Sequence, residues 1–251
     1  MTTLFPAPEI LAVLCAAVFV AAVLRGLTGF GFALAAVPLM SLVVEPARAV
    51  VMAIVLQLLV GVRDLITLHG MLDRPSLVRM SAGAVLGTPA GVALLLVLDP
   101  AVMRLAIALV VFAGLAFLLK APQKPAADRL TLALPMGIVA GAFAGLAAMP
   151  GPPAVAYFLG VDRPAAVKRA SLMIFFFATS VIAIPLLLAG GEVDGGIALA
   201  SLVALPVLVA GTAVGTWLFR RTSEAGYRNL AIATLAVMAL MSGLRGLAGL
   251  L

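Results

Sequence analysis

Apolar runs of roughly 18 or more residues recur along the whole chain, separated by short polar stretches. Six of these runs are clean. They predict helices near 47–68, 76–98, 101–119, 166–189, 195–219 and 227–249. Two other runs, near 10–44 and 130–160, are interrupted by glycine and proline. The first contains RGLTGFGFALAAVP (Arg25–Pro38), and the second contains AGLAAMPGPP (Ala144–Pro153). The pattern reads as an all-α polytopic membrane protein of about 8–10 helical segments.

The two interrupted runs belong to a repeat. Gly26 aligns with Gly145, and the breaker cluster after Gly26 aligns with Met149–Pro152. Further on, RAVVM (Arg48–Met52) aligns with RASLM (Arg169–Met173), and Leu72–Asp73 with Val193–Asp194. GTPAG (Gly87–Gly91) aligns with GTAVG (Gly211–Gly215), and Arg104 with Arg228. The offset grows only from 119 to 124. Recurrence in order at a near-constant offset is the mark of a duplicated unit. The expected division is a first repeat at 1–119, a cytoplasmic linker at 120–129 and a second repeat at 130–251. The linker, KAPQKPAADR, is polar and carries proline, as a connection should.

Residues 10–44 are too few for two full crossings, each of which needs about 20 residues. They form either one broken spanning helix or a re-entrant hairpin of two half-length helices meeting near the midplane. Basic residues arbitrate for the second run. With both runs spanning, and Arg25 set aside, the basic residues divide seven against eight between the two sides. With the second run re-entrant they divide twelve against three, the poor side holding only Arg48, Arg104 and Arg245. Cytoplasmic enrichment in Lys and Arg favours the hairpin. The first hairpin is inferred from the repeat alone. In either arrangement Arg48 and Arg169 fall on opposite sides, so the halves form an inverted repeat. Interrupted helices within inverted repeats are a signature of secondary transporters.

Composition agrees. The chain is 65% hydrophobic and 10% charged, where a soluble domain is nearer half apolar and a quarter charged. The net charge of +6 reflects cytoplasmic loops, and no nucleic-acid partner is expected. The start, MTTLFPAPEI, has no Lys or Arg, so no removable signal peptide is expected. A single cysteine, Cys15, reads as an inert core thiol, and a single histidine, His69, cannot make a metal site alone. No metal and no cofactor is expected. The partners expected are a small anionic substrate and the lipid bilayer, with a homodimer as one open arrangement. The expected location is the inner (plasma) membrane, crossed several times.

The candidate chemistry lies at the interruptions. A break in a membrane helix frees backbone groups that lipid cannot satisfy, so they face protein or a water-filled cavity. A helix N-terminus there presents free N–H donors and partial positive charge, which suits an anion. Gly26, Gly29 and Gly31 allow close approach to backbone, with Thr28 and Phe30 between them. In the second run Met149, Pro150 and Gly151 form the break after Gly145. Arg25 adds a planar fork of donors. An arginine near mid-membrane costs about 2.5–3.5 kcal/mol on insertion scales, which argues for function. Gln57 and Tyr157 complete the substrate-binding candidates. Set against these are simpler roles. Gly83, Gly87, Gly91, Gly211 and Gly215 read as helix-packing residues. Thr88, Thr179, Ser180 and Thr212 read as side chains bonded to their own helices.

At these residues the sequence resembles the sulfite exporter TauE/SafE family of membrane transporters. The resemblance is carried by GLTGFGF from Gly26, GLAAMPGPP from Gly145, and the later LD and VD elements with their glycines. It implies transport of a sulfur-containing anion such as sulfite, thiosulfate or an organosulfonate, often outward, and no enzymatic activity. No Walker motif is present, so ATP is not a direct energy source. Asp64 and Glu45 are the protonatable candidates. Two other classes of protein compete with this reading. A passive anion channel differs from a carrier in showing no saturation or counterflow. A polyprenyl-diphosphate phosphatase-like enzyme would need carboxylates and Ser/Arg at the hairpin tips, where this chain has Gly29 and a second tip without Ser, Arg or acid.

Overall fold

A computed structural model describes residues 8–119 and 130–223, with isolated positions beyond. The expected linker at 120–129 and the expected helix at 227–249 lie outside the described residues, apart from isolated position 233. The described residues form nine helices and no strand. They are α1 (Pro8–Thr28), α2 (Phe32–Met40), α3 (Pro46–Leu68), α4 (Arg74–Val97), α5 (Pro100–Leu119), α6 (Leu130–Ala147), α7 (Gly151–Leu159), α8 (Ala165–Ala189) and α9 (Gly195–Phe219).

Local chemistry sets the helix starts. Proline stands in the first turn of α3, α4 and α7, where its missing N–H costs no helical bond. Asp99 Oδ1 accepts from the amides of Ala101 and Val102, both at 3.0 Å, at the head of α5. Asp194 caps α9 by accepting from Ile197 N at 2.7 Å. That bond, helped by the Arg48 guanidinium at 2.8 Å, holds the Asp194 carboxyl below its ordinary range.

Six helices (α1, α3, α4, α6, α8 and α9) are long and apolar enough to cross a membrane. Their outer faces carry exposed Val20, Val78, Leu86, Leu202 and Trp217, surface that lipid covers without cost. The interrupted runs differ from the expectation of two half-length arms. The first arms are full length, 21 residues in α1 and 18 in α6. The second arms have nine residues each. The reason is where the backbone turns. Positive φ falls at Gly29 and Gly31 in the first run and at Ala148 in the second, a few residues past the centre of each, and the second arms stop early, at Met40 and Leu159.

The short arms are buried. All nine residues of α7 and seven of the nine in α2 are buried. A helix apolar all round belongs in a core. Around them α1 packs along α9, and α4 along α6. Gly211 sits against Phe19 and Ala22, and Gly215 against Val23, Gly26 and Leu27, so α1 and α9 run parallel. Gly83 sits against Leu134 and Ile138, and Gly91 against Ala142 and Leu146, so α4 and α6 also run parallel. A Cβ at any of these glycines would overlap the facing backbone, as expected for close helix packing.

Candidate functional site

The first break is built from α1, α8 and two glycines. Gly29 (φ 82°) and Gly31 (φ 88°) hold conformations that favour glycine. Gly29 N donates to Arg25 O at 2.7 Å. The Thr28 hydroxyl is placed 2.8 Å from Leu24 O and 2.7 Å from Phe30 O. Arg169 Nε donates to Gly26 O at 2.9 Å, while its Nη2 reaches Thr216 Oγ1 at 2.8 Å. The Arg169 guanidinium also lies over the Phe219 ring, 4.7 Å from its centre. The carbonyls orphaned where α1 stops are therefore answered by a backbone amide and a buried arginine.

The sequence reading counted Arg169 as a flanking positive charge. The structure keeps it at the basic end and adds a role: Arg169 is 6% exposed and holds the end of α1. Its place five residues inside α8 turns the side chain into the bundle.

The second break uses other means. Ala148 takes φ 59°, and Met149 N bonds Phe143 O at 3.1 Å. Pro150 then caps α7. Pro152 and Pro153 have no N–H, so among the first three residues of α7 only Gly151 can donate. In α2 the amides of Phe32, Ala33 and Leu34 all precede the first helical bond, Ala35 N to Gly31 O at 3.1 Å.

The two N-termini meet. A Cβ built on Gly151 would lie 3.8 Å from the Leu34 side chain and 3.9 Å from Phe30 Cβ. Between them is a cavity lined by Gly31, Phe32, Ala33, Leu34, Gln57, Met149, Pro150, Gly151 and Phe176. An adjoining pocket shares Gln57 and Pro150 and adds Thr179 and Ser180. The first cavity has ≈ 10 Å³ of room for water centres, enough for about one water. Gln57 lies at the middle of α3, and its Nε2 is 3.3 Å from Ala148 O and 3.4 Å from Ala53 O.

The other candidates lie apart from this lining. Gly26 faces Thr212 and Gly215 of α9, and Gly145 faces Thr88 and Val92 of α4. Tyr157 is buried with its hydroxyl 2.8 Å from Ser76 Oγ, which donates to Asp73 Oδ2 at 2.7 Å. Arg25 is 1% exposed, so it does not snorkel to an interface. Its Nη2 pairs with Asp64 Oδ2, a contact between α1 and α3. Arg25 Nε and Nη1 meet no acceptor among the described residues. Thr179 and Ser180 bond back to Phe176 O at 2.9 and 3.0 Å, but Thr88 and Thr212 hydroxyls bond nothing described. Glu45 is exposed at the head of α3 rather than buried at depth. Phe176 was missed; an apolar residue amid an apolar run gives no sequence signal.

The fold and cavity define a polytopic helical membrane protein in which two broken helices aim their N-termini at one internal space. The chain belongs to the sulfite exporter TauE/SafE family, whose model matches residues 14–242. It is thus a member of a family of membrane transporters, not of enzymes. No curated protein and no solved structure matches it.

Proposed function

We propose that the protein is a secondary transporter that exports a small sulfur oxyanion, namely sulfite, thiosulfate or an organosulfonate, across the plasma membrane. The observation that carries this reading is the meeting of the α2 and α7 N-termini at one cavity beside Gln57. The amides of Phe32, Ala33, Leu34 and Gly151 bind the anion, and the half-helix dipoles add to their pull. Gln57 supplies the one polar side chain among the cavity's lining residues. Room for about one water is too little for sulfite, with its four heavy atoms, so the structure corresponds to a closed state.

The helix directions support an inverted repeat. α1 ends beside Asp64, at the end of α3 where α4 begins, so α1 runs against α4; α4 runs with α6, so the first arms α1 and α6 point in opposite directions. Rocking of one repeat on the other would open the cavity to each side in turn.

The test is sulfite efflux from loaded proteoliposomes. Wild type should give saturable flux with counterflow exchange. Gln57→Leu, which keeps volume but removes the amide, should lower the flux at least tenfold while costing about 1 kcal/mol of stability. Flux equal to that of protein-free vesicles, or a wild-type rate in Gln57→Leu, would remove this reading.

A further inference from the structure

The cavity does not use the most costly group in the bundle. Arg25 and Asp64 form an ion pair whose side chains are 2% and 6% exposed. Taking two charges out of water is expensive, and such a pair seldom stabilises more than apolar packing would. The pair also leaves the guanidinium unfinished, because Nε and Nη1 donate to nothing described.

Its place in the bundle is informative. Asp64 lies near the end of α3 that is followed by Arg74 and Arg79, and Arg63 is its exposed neighbour. The start of α8 lies at the same end, since Asp73 N donates to Ser171 Oγ at 2.9 Å. Arg163 is there too, 3.9 Å from Asp73. The pair therefore sits at the basic end of the bundle, one turn from the first break.

Resting on the anion-transport reading, we propose that Asp64 is the proton site of the carrier, and that the transported anion, on its way between the cavity and the basic end of the bundle, occupies the pair together with a proton. A guanidinium with open donors can accept an oxyanion. The anion can take the place of Asp64 only if the carboxylate is not left charged and unpaired, because a buried unpaired carboxylate is strongly disfavoured. The proton therefore goes onto Asp64 as the anion goes onto Arg25. One negative charge replaces another on the guanidinium, so the site is neutral both empty and loaded with a monovalent anion. Transport is then an electroneutral proton–anion symport. Net direction follows the sum of the two gradients, and outward flow follows accumulation of the anion inside.

Among the described residues, the surroundings leave Asp64 as the group for this role. Among helices packed against α3, α2, α6 and α9 carry no charged residue. On α5 the charged residue is Arg104, near the head of the helix that starts at Pro100. On α8 they are Lys168 and Arg169, the latter committed to Gly26 O and Thr216. On α1 they are Glu9, at the far end of the helix, and Arg25 itself.

The experiment uses the full chain in proteoliposomes with sulfite and methanesulfonate as probes. Methanesulfonate keeps one negative charge at all working pH values, so its pH dependence reports the protein. Wild-type accumulation should rise about tenfold for each unit of inward proton gradient and stay unchanged under an imposed voltage. Asp64→Asn should lose the proton response. Its empty site is cationic and its loaded site neutral, so accumulation should change about tenfold for roughly 60 mV. A wild-type pH response retained in Asp64→Asn would overturn the proposal. Should that variant fail to fold, voltage-driven accumulation by wild type would overturn it equally. Absence of flux with both probes would overturn the anion reading and the coupling with it, whereas voltage-sensitive flux would overturn the coupling alone.

Discussion

The two breaks solve one geometric problem with opposite chemistry. The break between α1 and α2 is made of glycine, and it is surrounded by charge. Gly29 and Gly31 turn the chain, Arg169 holds the Gly26 carbonyl, and the Arg25–Asp64 pair lies one turn before. The break between α6 and α7 is made of alanine and proline, and the polar side chains beside it, Gln57, Thr179 and Ser180, are uncharged. Glycine stops a helix but keeps every N–H, whereas proline stops a helix and removes the donor. The α2 terminus therefore offers three amides to the cavity, and the α7 terminus offers the Gly151 amide alone. In the proposed reading the glycine side supplies most of the donors to the anion. In that reading the proline side supplies one donor, the Gly151 amide, on a terminus stiffened by Pro152 and Pro153, with Gln57 Nε2 3.3 Å from the Ala148 carbonyl.

The sharpest way to break this comparison is to remove charge from the first break. Arg25→Ala leaves Asp64 buried without its partner, which should cost about 3–5 kcal/mol. Arg25→Ala with Asp64→Ala removes both charges and should recover most of that loss. Thermal unfolding of the purified proteins measures both. A double variant no more stable than Arg25→Ala would show that the pair is not what ties α1 to α3. The single variant also mixes lost transport with lost stability, so it is a poor test of anion binding by itself. No substitution in the second break has an equivalent cost, because no charged residue among those described is buried there.

A smaller effect is expected at the end of α1. Arg169→Leu removes the donors to Gly26 O and Thr216, and charged hydrogen bonds contribute about 1.5–3 kcal/mol each set. The loss should appear as faster hydrogen exchange in the last turn of α1 and the first turn of α2, with α6 and α7 unaffected. Equal loosening of both breaks would mean that Arg169 supports the bundle as a whole.

Much of this was legible in the chain. The long helices follow from uninterrupted apolar runs, and α3, α4, α5, α8 and α9 begin within two residues of where those runs place them. The packing role of Gly83, Gly87, Gly91, Gly211 and Gly215 follows from their spacing, because residues four apart share a helix face. The breaks follow from glycine and proline. What could not be read is long-range. Asp64 as the partner of Arg25 is a contact across 39 residues, with no local pattern to announce it. Arg169 looked like any basic residue near a helix start, since a few residues of depth separate a flank from a core. Gly26 and Gly145 stand beside the breakers in sequence, yet they face neighbouring helices rather than the cavity. Arm lengths were missed because the position of a turn depends on which residue adopts positive φ, and composition does not say which.

The finest test concerns the two glycines nearest the cavity's two sides. Gly31 has φ 88°, so a side chain there is strained whatever the space. Gly151 is helical, and a Cβ on it would meet Phe176, Leu34 and Phe30 at 3.7, 3.8 and 3.9 Å, ordinary contact distances. Packing therefore does not require glycine at 151. A methyl group would instead enter a cavity with room for about one water. It would also cover the single amide that α7 offers. Gly151→Ala should change stability by less than about 0.5 kcal/mol and gain a few tenths from helix propensity in the first turn. Sulfite efflux should nonetheless fall steeply. A melting temperature near wild type with efflux reduced at least tenfold is the expected pair of results. Wild-type efflux from a folded Gly151→Ala protein would place the anion elsewhere than between the two half-helices. It would then leave α7 as a wall and the first break as the whole of the binding site.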